Sequence, residues 1–341
     1  MDSIATSQHD QQAVADYRML RSIGIRTVRE ALRWHLIEQV PGHYDWSSAE
    51  GQIAGARASS AEVIWDICHW GVPDGMDVMA ADWPQRLADF AVAAARWIRG
   101  TGVRVAGWIP VNEISFWAWA GGEKGHFEPH LEEQGYLVKR QLVRGHLAAT
   151  RALRDAGFSE AIMLAEPLIR VVPCDETPEA AQRAHTLMEA SFEAIEMILR
   201  EDRAAVDVLG LNHYPHNQWI EGAEQILEGH PGYRPLRHLL SDVEARFGLP
   251  LALTETGAEE PHGGAWLNYV QEEIAAAGRE GIVVHGACIY PVMDYSGWDN
   301  ERHCPCGPIG RAGEERFLRL GQAAAVRRLS ERMVTARLSA P

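Results

Sequence analysis

The sequence is short of several things, and each shortage excludes something. No apolar run approaches the roughly 18 consecutive residues that a membrane-crossing helix needs, so a soluble chain that engages no membrane is expected. The opening residues, Met1-Asp2-Ser3-Ile4, offer neither a basic stretch nor an apolar one, so no secretory signal is read there. Cysteine is sparse: Cys68, Cys174, Cys288, Cys304 and Cys306 are an odd and scattered set that does not suggest a disulfide framework, and a reducing cytoplasm is the expected compartment. Positive charge is scarce as well. With 32 basic against 47 acidic residues the net charge is -15, which repels nucleic acid and acidic membranes and favours neutral or cationic partners. No Gly-x-Gly-x-x-Gly follows the first strand, so a dinucleotide fold gains no support and no cofactor is expected. Oligomeric state leaves no mark in the sequence.

What is present is an alternation. At 341 residues and 46% hydrophobic content the chain has material for one large core, and nothing in its composition divides residues 1–341 into two domains. An amphipathic helix over 10–22 comes first. Strands are then expected at Ile25–Leu32, Glu62–Cys68, Val105–Asn112, Ala161–Glu166, Val206–Asn212, around Leu251–Thr256 and at Ile282–Tyr290. Helices follow them near 48–60, 83–100, 131–156, 178–200, 236–247, 266–277 and 314–328. Regular alternation of buried strands with helices predicts a parallel sheet. The count favours a closed (β/α)8 barrel, a TIM barrel, that lacks its first strand. A start placed too far downstream, a makeshift filler from residues 1–9 and an open gap are all compatible with that shortfall.

Two strands end alike. Gly107-Trp108-Ile109-Pro110-Val111-Asn112-Glu113 is an apolar run that stops at Asn-Glu, and Leu251-Ala252-Leu253-Thr254-Glu255-Thr256-Gly257 stops at a glutamate before a glycine turn. A lone glutamate at a strand end is usually solvated or salt-bridged. Two of them at the same end of one barrel can flank a single bond, which is what glycoside hydrolysis requires. Aromatic residues gather nearby. Trp34, Trp70, Trp117, Trp119, Trp219 and Trp298 fall at or just beyond strand ends, where they suit either stacking on the apolar faces of sugar rings or ordinary loop packing.

With these motifs in order, the chain resembles the clan A retaining glycoside hydrolases, and most of all glycoside hydrolase family 1, over about residues 10–330. Asn112-Glu113 resembles the family's Asn-Glu-Pro, with Ile114 in place of proline, and Thr254-Glu255-Thr256-Gly257 resembles its Thr-Glu-Asn-Gly. Leu209-Gly210-Leu211-Asn212-His213-Tyr214 is similar to Leu-Gly-Leu-Asn-Tyr-Tyr, and Cys68-His69-Trp70-Gly71-Val72-Pro73 to Tyr-His-Trp-Asp-Leu-Pro. Arg29 and Trp34 match the arginine and tryptophan of the second strand. The resemblance implies a β-glycosidase-like enzyme that cleaves O-glycosides of a carbohydrate substrate. Glu255 would be the nucleophile, kept ionised by Arg29 and the Tyr214 hydroxyl. Glu113 would be the acid/base, kept protonated by the charge of Glu255. It also implies sugar contacts from Asn112 and His69, and a substrate cleft shared by Trp70, Trp117, His213, Asp294 and Trp298.

There are departures. The family's last-strand loop reads Asp-Asn-Phe-Glu-Trp, whereas here it is Asp294-Tyr295-Ser296-Gly297-Trp298, and Gly297 offers no carboxylate to the outer hydroxyls. The glutamine of the first strand is also absent, so sugar and linkage specificity stay open. Asp299, Asn300, Arg302 and His303 are candidate substitutes. His303-Cys304-Pro305-Cys306 invites comparison with soft metal ligands, but the spacing is too close for a usual zinc site and no second cluster completes it, so no metal is expected. Two rival readings follow: a catalytically silent sugar-binding relative, and a metal-dependent barrel hydrolase built on the His303 loop.

Overall fold

A computed structural model describes residues 2–297, 300 and 302–339, with side chains as far as residue 333. Among the described residues seven parallel strands form one sheet: β1 (Thr27–Ala31), β2 (Glu62–Cys68), β3 (Arg104–Val111), β4 (Ala161–Pro167), β5 (Val208–Asn212), β6 (Leu251–Thr256) and β7 (Val284–Ile289). They hydrogen-bond in chain order, each to the next, and the sheet curls into a nearly closed barrel. Helices α1 (His9–Ser22), α2 (Glu50–Ser59), α3 (Trp83–Thr101), α4 (Gly135–Asp155), α5 (Pro178–Glu201), α6 (Leu236–Phe247), α7 (Gly263–Arg279) and α8 (Leu320–Ser339) form the outer ring. This is the (β/α)8 architecture less one strand.

Sequence dictates the layering. Helices α3, α4 and α5 carry one apolar stripe each, and in α3 Leu87, Phe90, Ala91, Ala94, Ala95 and Ile98 line it, all buried against the sheet. Ile109, Met163, Ala165 and Ala252 form a second cluster drawn from strands alone, with Ile64 and Val208 beside it, so it lies inside the barrel. Polar chemistry is thereby confined to the strand ends above this plug.

The missing strand leaves a seam between β7 and β1. Every residue of β6 is buried, whereas all five of β1 are only half-buried and His285 of β7 is exposed, as expected of strands paired on one side. Outside the seam, α1 and α8 pack together through Leu20, Ile23, Ala323 and Val326, over Ile289 and Val28. Ser330 Oγ donates to Gly24 O at 2.8 Å. At the rim formed by the C-terminal ends of the strands, residues 2–7 cross from one edge to the other. Asp2 pairs with Arg33, just beyond β1, at 3.2 Å, and the carbonyls of Thr6 and Ser7 accept from Arg311 and Arg316 at 2.8 and 2.7 Å. That segment contains a short helix, Ser3–Thr6, and no strand. Residues 2–7 thus bridge the two edges of the rim without adding a strand to the sheet.

One element departs from expectation. The last helix, expected from 314, begins at Leu320, because Ile309–Ala312 and Glu315–Leu318 pair as an antiparallel hairpin. Its turn is at Gly313, whose φ of 65° suits glycine. Arg316, which read as the first turn of a helix, instead reaches Asp16 of α1 at 2.9 Å. No helix among the described residues is long and apolar enough to cross a membrane.

Candidate active site

β1, β2, β3, β5 and β6 all deliver polar side chains to the same end of the barrel. Arg29 leaves β1, and its guanidinium is the hub. Nη1 donates to Glu255 Oε1 at 2.7 Å, Nε and Nη2 donate to the two oxygens of Asp66 at 2.9 and 2.8 Å, and Nη2 also donates to Asn112 Oδ1 at 2.5 Å. Burial disfavours the Arg29 charge, but the carboxylates of Asp66 and Glu255 outweigh it and hold its pKa above the ordinary value. Glu255 receives a second hydrogen bond, from Tyr214 Oη to Oε2 at 2.7 Å. Burial first, then the neighbouring Glu255 charge, pushes the Tyr214 phenol well above its usual range, so it stays a donor.

Glu113 stands in a different environment. It is only 8% exposed, and the hydrogen bond resolved at its carboxyl comes from Asn212 Nδ2, at 2.8 Å. Burial, then the charge of Glu255, pushes its pKa well above the carboxylate range, against the smaller opposing effect of Asn212. The two carboxyl groups of one site thus stand in unequal surroundings: Glu255 accepts from a guanidinium and a phenol, Glu113 from one amide. Asn212 ties them: its Oδ1 accepts from Thr254 Oγ1 at 2.7 Å, and it is the register partner of Glu255 across β5 and β6. Gly210 makes room for this bridge, because a Cβ there would run into the Thr254 side chain. Gly257, just after the Glu255 strand, lies so close to the Tyr290 carbonyl that any side chain would collide with it.

His69 and Trp70 complete one wall. His69 Nδ1 lies 2.7 Å from Asp66 Oδ2 and its Nε2 lies 3.2 Å from Asn112 Nδ2. Since an ionised carboxylate only accepts, the proton belongs on Nδ1 and Nε2 is left as acceptor. Trp70 donates from Nε1 to Asn112 O at 3.0 Å and packs against Phe116 and Phe127, with ring centroids 5.0 and 5.6 Å away. Beside it a groove of about 700 Å³ runs between residues 70–79 and 128–134, where Met76, Met79 and Leu131 alternate with Asp74, Asp77 and Glu128.

Three residues assigned to the cleft by sequence are employed elsewhere. Trp117 is fully buried, its Nε1 donates to Glu128 O at 2.5 Å, and its ring meets Trp83 edge-on, so it belongs to the core; Phe116 and Trp119 are the aromatics of this stretch that reach the surface. His213 is 1% exposed, holds Leu168 O through Nδ1 at 2.8 Å and leans on Trp266, and burial lowers its pKa to about 4. It fastens the β4 loop to the β5 loop. Asp294 is fully buried and anchors the terminal hairpin: Arg319 faces its two oxygens at 2.7 and 2.8 Å, and Arg311 N–H donates to it at 2.9 Å. Trp298 and Asp299 lie outside the described residues. Among the described residues no three histidine, cysteine or acidic side chains gather as a metal site; the His303 ring lies 3.3 Å from Asp294 instead.

The sequence reading passed over Asp66, Thr254 and the role of Asn212. Asp66 had a signal: it is the one charge in the apolar run Val63-Ile64-Trp65-Asp66-Ile67-Cys68, and a carboxylate inside a buried strand calls for a buried cation.

No family model matches the chain. The human lactase/phlorizin hydrolase is 26% identical over 145 residues, which cover 40% of this chain and only 8% of that protein's length. Among solved structures, the family 1 β-glucosidase from Thermotoga maritima superposes with a TM-score of 0.78 at 16% identity, covering 95% of this chain and 87% of that one. The AHE enzyme from Alicyclobacillus herbarius gives 0.77 at 18% identity, over 96% and 87%. The Thermotoga maritima enzyme has also been solved with deoxynojirimycin, at the same TM-score of 0.78 and 16% identity, over 94% and 87%. The chain therefore has the barrel fold of the family 1 β-glucosidases and resembles that family from its first strand to its last helix.

Proposed function

We propose that this protein is a retaining glycoside hydrolase of β-glycosidase type, cleaving O-glycosidic bonds by double displacement. The observation that carries the reading is the pair of carboxyl groups in unequal surroundings. Glu255 accepts from Arg29 and Tyr214, which suits a nucleophile that must be ionised, and Glu113 is buried beside that charge, which suits an acid that must hold a proton. Attack by Glu255 on the anomeric carbon, with protonation of the leaving oxygen by Glu113, gives a glycosyl-enzyme. Having given up its proton, Glu113 is now a carboxylate; the ester has lost the Glu255 charge, which stabilises Glu113 in that form, and it takes a proton from the attacking water. Asn112, His69 and Trp70 are the sugar-side contacts in this reading, with Arg29 and Tyr214 orienting the nucleophile. Barrel neighbours crystallised with deoxynojirimycin and glucoimidazole support a carbohydrate ligand.

The test offers aryl β-glycosides to wild type, Glu113→Gln and Glu255→Gln. Glu255→Gln is expected to abolish turnover. Glu113→Gln is expected to lose about 10²–10⁴-fold on substrates with poor leaving groups and much less on activated ones. Full activity of either variant on a poor leaving group overturns the assignment. Sugar binding by calorimetry with no turnover by the wild type would mark a silent binder instead.

A further inference from the structure

A third strand ends as β3 and β6 do. In β4 the apolar run Ile162-Met163-Leu164-Ala165 stops at Glu166, which is fully buried and has no part in the chemistry described so far. Its Oε2 accepts the backbone N–H of Ser115 at 3.1 Å, and among the described residues no hydrogen-bond partner meets its Oε1. Lys139, whose charge is felt at Glu166, is committed elsewhere: Nζ donates to Glu193 Oε2 at 2.8 Å and to Ala190 O at 2.7 Å. A buried carboxyl with one orphaned oxygen and no ion pair among the described residues is a poor structural strut. It makes better sense through what it grips.

Ser115 lies two residues beyond Glu113, and the turn between them is strained. Glu113 has left-handed backbone angles, φ 42° and ψ 63°. A residue other than glycine keeps such a sparsely populated conformation only when its surroundings enforce it. β4 supplies much of that enforcement. Glu113 N–H donates to Ala165 O at 2.9 Å, and the next residue, Glu166, takes Ser115 N–H. Ser115 Oγ is fastened in turn to Ser191 O at 3.2 Å.

We propose that Glu166 is a positioning residue for Glu113: it pins the turn that aims the acid/base into the cleft and sets a titratable charge directly behind it. The proposal rests on the reading of Glu113 as the proton donor. Across the barrel Glu113 faces Glu255, Arg29 and Tyr214, with Asn212 as its hydrogen-bond donor; from behind it faces Glu166. Burial pushes the Glu166 pKa up to about 7, opposed by the Ser115 hydrogen bonds and the more distant Lys139. Below that pH Glu166 is a neutral acid. As it ionises above that pH, its charge makes loss of the Glu113 proton harder and extends the pH range over which Glu113 remains an acid.

The test uses the full chain labelled with ¹³C at the glutamate side-chain carboxyl, the Glu113 and Glu166 resonances being assigned from Glu113→Gln and Glu166→Gln. In wild type the Glu113 resonance should show an inflection at the pH where Glu166 titrates. Glu166→Gln keeps an oxygen for Ser115 N–H but no charge, so Glu113 should titrate at least about half a unit lower, and the basic limb of kcat/KM on an aryl β-glycoside should move down with it. At pH 6 that variant should keep kcat within about threefold of wild type, whereas Glu166→Ala, which also frees the turn, should lose about tenfold or more in kcat with little change in KM. Absence of the inflection in wild type, or a Glu113 titration unchanged in Glu166→Gln, overturns the proposal. Should the wild type hydrolyse no glycoside, the enzymatic reading fails, while the resonance measurements still decide whether Glu166 acts on Glu113.

Discussion

Arg29 is gripped by Asp66 and Glu255 at once, so one guanidinium serves two buried carboxylates, and Asp66 in turn fixes the His69 ring. Burial would raise the Asp66 pKa, but the Arg29 charge and the His69 hydrogen bond outweigh it and hold it below the usual range, so Asp66 is ionised wherever the protein works. Asp66→Ala would strand the Arg29 Nε and the His69 Nδ1 donors. A buried donor left without an acceptor costs about 1–3 kcal/mol, and if that cost falls on the transition state, kcat/KM should drop about ten- to a hundredfold. Steady-state kinetics on an aryl glycoside, with a thermal melt to check folding, decides it; an Asp66→Ala variant with undiminished kcat/KM would remove Asp66 from the site. At this scale the sequence spoke through motifs. Glu113, Glu255, Arg29, Asn112, His69 and Tyr214 stand in recognisable runs at strand ends, and the fold brings them together. Asp66, Thr254 and Glu166 were harder to see because each is defined by partners far along the chain: Asp66 by a residue 37 positions away, Thr254 by one 42 away and Glu166 by one 51 away.

Elements were legible where their apolar period was long. Apolar strands of five to eight residues followed by helices of ten or more specify a parallel barrel, and seven such units appear where the pattern puts them. The Ile309–Leu318 hairpin was not legible. Its strands have four residues each, Arg311 and Arg316 interrupt the apolar alternation, and what holds it is tertiary. Asp294 is that anchor. With Arg319 and the Arg311 backbone bound to a carboxylate at 0% exposure, its removal leaves the Arg319 guanidinium, itself largely buried, with only the more distant Glu260, 4.0 Å away. Breaking a buried pair from one side costs about 3–5 kcal/mol. Asp294→Ala should therefore lower the stability from urea denaturation by about that much, with the loss concentrated in the hairpin by hydrogen exchange. A variant as stable as wild type would return Asp294 to the list of candidate sugar ligands.

The whole molecule has to hold a barrel together across a missing strand, and much of that closure passes through one buried cluster. His9, at the start of α1, sets Nδ1 2.9 Å from Asp16 and Nε2 3.1 Å from Glu30 of β1. Tyr17 and Gln52 also donate to Glu30, at 2.8 and 2.7 Å, and Arg316 of the terminal hairpin binds Asp16 at 2.9 Å. N-terminal helix, first strand and C-terminal hairpin thus meet on a few charges. Burial works against a charged His9, but the Glu30 charge and the hydrogen bonds to Asp16 and Glu30 prevail, and its pKa is raised to about 10. The unfolded chain would release that proton near pH 6.5. Folding therefore binds a proton that unfolding gives up, and stability falls with pH wherever that difference exists. The contribution is complete below about pH 6.5, erodes above it, and is gone once the pH passes about 10. Glu30 has the opposite sign. Although burial opposes it, the His9 charge together with hydrogen bonds from His9, Gln52 and Tyr17 lowers its pKa, so its contribution is present in neutral solution and is lost in acid. Urea midpoints measured from pH 6 to 10 should fall steadily for wild type, and His9→Gln should be less stable at pH 6 yet show a flatter decline. Parallel curves for the two proteins would mean that the seam is not closed by the charge of His9.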